Sequence, residues 1–167
     1  MERERPNPEI FRREILPSLA EVPLGVEDLC AQWDEGGHLF VNVSAGGYGL
    51  VPLENWDPAF VEALLNSRLL SWVLRRRSRA FANGWFAARK GNLKRLPIAL
   101  GDVQSREGII DLFHRCRDLR AELEDARTDH ETEMRGRVLR AAVDAFDAAV
   151  EDLYEVSDGE KVLLRQA

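Results

Sequence analysis

The side chains that could do chemistry are few and scattered. His114 and Cys116 are the closest His/Cys pair, but two residues apart on a helix their side chains point about 200° away from each other, so one ion cannot take both. No Asp or Glu stands two residues before any lysine, so the carboxylate-x-Lys part of a nuclease metal site is missing. An Asn-Pro-Pro-aromatic tetrapeptide that would grip a flipped adenine is also missing, as is a glycine motif for S-adenosylmethionine. Ser44, Ser67 and Ser71 lie in no nucleophile-elbow context. Gly46, Gly47 and Gly49 match neither GxGxxG nor GxxxxGK[ST] and read as a turn or bulge. These residues predict no catalytic group, no metal and no cofactor, and the chain is expected not to be an enzyme.

What stands out instead is charge. Residues 63–101 hold nine basic residues (Arg68, Arg75, Arg76, Arg77, Arg79, Arg89, Lys90, Lys94 and Arg95) and no acid. The whole chain of 167 residues carries a net −6, so the remainder carries −15. Segregated charge of this kind points to a local anionic partner, of which nucleic acid is the commonest. The other reading is a solvated helix end whose arginines complement the helix dipole and acidic neighbours. The sequence pI near 5.2 argues against a general nucleic-acid coat.

The elements that must position these residues follow from patterning. Asp57-Pro58 is a helix start, with Asp57 as N-cap and Pro58 in the first turn. The helix is predicted to run to about Arg77. Its apolar residues from Phe60 to Leu74 point in nearly every direction, which means burial, with only the basic end reaching solvent. Upstream, LCAQW, HLFVNVS and YGLVP are separated by glycine turns and read as two or three antiparallel strands. Residues 1–28 contain Pro6, Pro8, Pro17 and Pro23 and fit either a short helical piece around Ile10 to Leu16 or an extended path with turns.

After Arg77, Asn83-Gly84 and Lys90-Gly91 are turn signals, WFAA a candidate strand, and Asn92 to Leu96 a short helical piece stopped by Pro97. Arginines alternate here with Phe81, Trp85 and Phe86. Such loops suit phosphate contact and base readout, while Trp85 and Phe86 also fit an ordinary core. From Ser105 the spacing is helical: Leu112, Cys116, Leu119, Leu123 and Ala126, then Leu139, Val143, Phe146, Val150 and Leu153. Thr128-x-x-Glu131 is a capping box between them. The pattern reads as two antiparallel helices with a turn near 128–130, or as one long interrupted helix, followed by a short helix after Ser157 and Asp158.

The expected fold class is α+β: a small antiparallel or mixed sheet packed on a buried helix over residues 1–103, then an antiparallel helical hairpin and C-terminal helix over residues 104–167. The length could bury about 70% of the unfolded surface. No apolar run reaches the roughly 20 residues of a membrane span, and the charged start MERERPNPEI has no secretory segment. A cytoplasmic location is expected. Cys30 and Cys116 imply neither a disulfide framework nor a zinc site.

Several of these segments carry a family resemblance. The run Ala63-Leu64-Leu65-Asn66-Ser67-Arg68-Leu69-Leu70-Ser71-Trp72, the turn Asn83-Gly84-Trp85-Phe86 and the ending Asn92-Leu93-Lys94-Arg95-Leu96-Pro97-Ile98 together resemble the TaqI-like C-terminal specificity domain. That domain is the target-recognition part of adenine-N6 DNA methyltransferases and fused restriction-modification enzymes. HLFVNVSAGGYGLVP upstream and the tail from Val143 to Ser157 are similar to the family's strand pair and closing segment, so the likeness covers roughly residues 38–165. The chain departs from the family pattern with Asn-Gly-Trp in place of Gly-Gly-aromatic and Glu155-Val156 in place of Tyr-Gly, and it begins where a methyltransferase domain should already have ended.

The resemblance implies a non-catalytic specificity module for a separate methyltransferase or nuclease in a restriction or phage-defence system. Double-stranded DNA and that catalytic subunit are then the expected partners, with a homodimer through the hairpin as a further arrangement and no membrane. The residues expected to bind DNA are Arg75, Arg76, Arg77, Arg79, Asn83, Trp85, Arg89, Lys90, Asn92, Lys94 and Arg95. The competing expectation is a protein-interaction module whose helical hairpin docks a partner chain without touching DNA.

Overall fold

The computed structural model describes residues 56–78 and 90–166, with the backbone alone at 31–33, 39–41 and 48–50. Six helices make up the described body: α1 (Pro58–Leu65), α2 (Arg68–Arg77), α3 (Lys90–Leu93), α4 (Val103–Glu124), α5 (Asp129–Leu153) and α6 (Asp158–Gln166). The three backbone segments are β1 (Ala31–Trp33), β2 (Leu39–Val41) and β3 (Tyr48–Leu50), which pair antiparallel in that order. Phe40 faces Gln32 on one side and Gly49 on the other.

The expected α+β class is therefore corrected. The described body is 78% helical, and its elements are all helices. The physical reason is where the apolar surface goes. Each strand has only three residues, about 10 Å of extended chain, whereas every buried apolar side chain of the described core lies on a helix or on a link between helices. A single cluster joins Phe60, Leu64 and Leu70 to Ile109, Phe113, Phe146, Val150 and Leu164, and it runs across the expected division after residue 103.

The single helix expected from Pro58 to Arg77 is two helices. Asn66 and Ser67 break it because their side chains satisfy the backbone at the break. Asn66 Nδ2 donates to the Glu62 carbonyl at 2.8 Å, Ser67 Oγ donates to the Leu64 carbonyl at 2.6 Å, and the same Oγ accepts from Leu70 N–H at 3.3 Å as the N-cap of α2. The break redirects the chain, and both pieces sink almost completely: Ala63, Leu64, Leu70, Val73 and Leu74 are fully enclosed. Each such leucine or valine contributes about 1.5–3 kcal/mol through burial. Asp57 caps α1 as its sequence predicts, its Oδ1 accepting from Ala59 N–H at 2.9 Å.

Helices α4 and α5 form the antiparallel hairpin. Phe113 and Phe146 meet with ring centroids 5.7 Å apart, and nearer the turn Arg135 Nη1 donates to the Glu122 carbonyl. The capping box is present: Thr128 Oγ1 accepts from Glu131 N–H at 3.2 Å, and Glu131 Oε2 accepts from Thr128 N–H at 3.2 Å. The buried stripe of α4 is Ile109, Phe113, Cys116 and Leu119, with Leu112 and Leu123 half-buried beside it.

α5 ends in a Schellman motif. Val156 N–H bonds to the Glu151 carbonyl and Glu155 N–H to the Asp152 carbonyl, both at 2.9 Å, with Glu155 at φ 54° and Val156 buried. This reversal turns α6 back toward the core, where Leu164 is buried and α6 lies against α2. Among the described residues, no helix is long and apolar enough to cross a membrane.

Candidate functional site

The basic end of α2 is built by its apolar half. With Leu69 to Leu74 anchored in the core, the last turn, Arg75-Arg76-Arg77, emerges half-buried at the helix C-terminus, where positive charge complements the macrodipole. The Arg76 guanidinium lies 5.2 Å from the centroid of the Trp72 ring, one turn back. Arg77 Nη1 donates to the Arg95 carbonyl at 2.6 Å, and Asn92 Nδ2 donates to Ser78 Oγ at 3.0 Å.

These two bonds tie the end of α2 to the segment around α3. That segment differs slightly from expectation: its helical turn occupies Lys90–Leu93, where a turn was predicted, and Arg95 and Leu96 N–H groups then bond back to the Asn92 and Leu93 carbonyls, both at 3.1 Å. Lys94 and Arg95 are exposed, while Asn92 is half-buried. Of the residues expected to bind DNA, Arg75, Arg76, Arg77, Asn92, Lys94 and Arg95 thus belong to one neighbourhood. Lys90 is placed by its backbone alone, and Arg79, Asn83, Trp85 and Arg89 lie outside the described residues.

A second polar constellation sits at the other end of α2 and was missed by sequence reasoning. Arg68, the first residue of the helix, meets α5: its N–H donates to Asp147 Oδ1 at 2.9 Å, and its Nη2 pairs with Asp147 Oδ2 at 2.9 Å and with Asp144 Oδ1 at 3.2 Å. Asp147 and Glu151 are buried, at 5% and 1% exposure. Burial pushes both carboxyls above their ordinary range, and at Asp147 the bonds to Arg68 oppose but do not cancel that push. Together with Ala148 and Arg165 these residues line a cleft of about 300 Å³. The available signal was the spacing of Asp144, Asp147 and Glu151, each one position after the apolar residues Val143, Phe146 and Val150. Acids so close to a buried stripe either flank it in solvent or join it.

Other polar groups serve the fold. Buried Glu62 on α1 faces Arg117 on α4 at 3.8 Å, and Lys161 bonds Asp152 at 2.6 Å. Tyr154 Oη donates to the Pro97 carbonyl at 2.6 Å and accepts from Ala99 N–H at 3.1 Å. Burial pushes the Cys116 thiol up, favouring its neutral form. Among the described residues, no three His, Cys, Asp or Glu side chains cluster to hold a metal. Comparison with known proteins finds no matching family model, no matching curated protein and no matching solved structure.

Proposed function

We propose that the chain is a non-catalytic DNA target-recognition module of a restriction-modification or related phage-defence system, acting in the cytoplasm and supplying sequence-specific binding to a separate methyltransferase or nuclease. The observation that carries the reading is the bond from Arg77 to the Arg95 carbonyl. It draws two basic runs, 18 residues apart in sequence, into one surface on which Lys94 and Arg95 are exposed. The resemblance of residues 38–165 to the TaqI-like specificity domain points the same way. Basic side chains on a rigid helix end supply phosphate contacts that orient a protein on the duplex, and side chains on the adjoining segment read base edges.

The test is a filter-binding series on duplex DNA. With about six phosphate contacts, log affinity against log salt falls with a slope of about −5. Changing Arg75, Arg76 and Arg77 together to Ala lowers affinity and flattens that slope. Absence of DNA binding at low salt, or a slope near zero, refutes the proposal.

A second reading has one specific observation in its favour. Met134 and Val138 are exposed one turn apart on α5, as a hairpin that docks a partner chain would present them. Under that reading the triple Arg variant retains the partner, and the wild-type chain shows no salt-dependent DNA retention.

A further inference from the structure

Helix α5 carries a second apolar stripe on the side away from the core. At about 100° per residue, Met134, Val138, Ala141, Ala145 and Ala148 fall within about 80° of one another. They follow the 4-3-4-3 spacing of a coiled-coil seam. Phe146 and Val150 of the same helix are in the core cluster, whereas Met134 and Val138 are 44% and 45% exposed. Ala141 and Ala145 are also exposed, and Ala148 is half-buried. The stripe runs for about 21 Å along the helix.

Its two halves differ in size, and the difference is self-complementary. The large side chains, Met134 and Val138, lie toward the N-terminus, and the alanines lie toward the C-terminus. A second α5 laid antiparallel, with the two-fold axis at Ala141, sets Met134 against the partner's Ala148 and Val138 against the partner's Ala145. Each large side chain then meets a small one at both ends, so one interaxial distance serves the whole contact. A parallel copy would set methionine on methionine at one end and alanine on alanine at the other, crowding the first and leaving the second open.

Charge selects the same arrangement. Arg137 and Asp144, seven residues apart, lie along one edge of the stripe and on either side of Ala141. The antiparallel two-fold therefore places Arg137 opposite the partner's Asp144, and does so twice. Both side chains are accessible, at 58% and 73%. Within its own chain, Arg137 has only a long 3.9 Å ion pair, to Glu133, and Asp144 meets Arg68 through Oδ1. Edge pairs of this kind fix orientation and register more than affinity.

We propose that the outer face of α5 is a docking surface for a second copy of this chain, paired antiparallel about Ala141. The contact is short, at the low end of specific interfaces, and makes a dimer that depends on concentration. It uses none of Arg75, Arg76, Arg77, Lys94 and Arg95, so it stands or falls independently of DNA binding.

The experiment is sedimentation equilibrium of the full chain from about 5 µM to about 500 µM, where the mass should rise from monomer to dimer with a Kd inside that range. Val138→Glu buries an unpaired charge in the dimer and should weaken it at least about tenfold. Arg137→Glu and Asp144→Lys each set like charges opposite one another and should each weaken self-association. An equimolar mixture of those two variants restores both opposite-charge pairs and should associate more tightly than either alone. A wild-type chain that stays monomeric throughout overturns the proposal, as does a Val138→Glu variant whose dimer is within twofold of wild type. A mixture no tighter than its separate components overturns the antiparallel pairing and the proposal with it. The wild-type series and Val138→Glu, a change at an exposed position, decide the matter even if Asp144→Lys does not fold.

Discussion

Arg68 engages Asp147 twice, through its backbone N–H to Oδ1 and through its guanidinium to Oδ2, both at 2.9 Å. A side chain of α5 therefore serves the N-terminus of α2 from 79 residues away in sequence, acting both as a cap for an orphan N–H and as an ion-pair partner. Changing Asp147 to Ala leaves the half-buried guanidinium and the N–H without this acceptor. The expected loss is about 3 kcal/mol in urea-unfolding free energy. Asp147→Asn retains an oxygen for the N–H and should lose clearly less. Equal losses in the two variants would show that the backbone bond contributes nothing.

The pH dependence of stability should bear the mark of Glu151. Burial raises its carboxyl above the ordinary 4.5, so the folded state binds that proton more tightly than the unfolded chain does. The ionised group is a cost that grows as pH rises from the unfolded value through the raised folded one, and acidification through the same window relieves it. Glu151→Gln lacks this cost. Relative to wild type, the variant should gain stability between pH 5 and pH 8, measured by urea unfolding at both values. A constant difference would contradict the assignment. The exposed caps Asp102 and Glu131 run the other way, since hydrogen bonds to Ser105 and Arg127 hold their carboxyls low, and their contribution is lost as pH falls through those lowered values.

Tyr154 clasps the link that follows α3, with its hydroxyl between the Pro97 carbonyl and the Ala99 N–H. Tyr154→Phe keeps the ring in its buried place and strips both bonds. Leaving these partners unsatisfied should cost about 1–3 kcal/mol, read as a lower thermal midpoint. Amide exchange at Ala99 should accelerate in the same variant, an effect that loss of ring packing alone does not predict.

At Gly101 the backbone has φ 58°, and an added Cβ would lie 2.7 Å from Leu153 Cδ1. Gly101→Ala therefore meets both a left-handed backbone and a crowded neighbour, and should lower stability by about 1–2 kcal/mol. Pairing it with Leu153→Ala tests the crowding: the double variant should lose less than the sum of the two single losses.

The features legible in the sequence were those whose cause is local. Asp57-Pro58 announces a helix because its cap and first turn are consecutive residues, and Thr128 with Glu131 closes a capping box over four. The 4-3 spacing of apolar residues likewise predicted helix on both sides of residues 128–130, as two helices or one interrupted helix, because an amphipathic stripe is a property of one segment. The break at Asn66-Ser67 was masked because the polar triplet Asn66-Ser67-Arg68 sits between apolar residues that fit one helix, and cap-type side chains end a helix only when they turn onto their own backbone. The expected α+β class fails because β-branched and aromatic runs mark where strands can form, not which element covers the core.

The candidate sites divide along the same line. Composition alone placed nine positive charges in residues 63–101 and excluded a recognisable catalytic motif, because charge and spacing are read directly from residue order. That Arg77 reaches Arg95, and that Arg68 holds two acids beside the buried Glu151, depended on how α2 is seated against the hairpin and α6. Asp147 and Glu151 would be surface acids on an isolated helix, as Asp144 remains in the folded chain. Their burial exists only where the helices close over them.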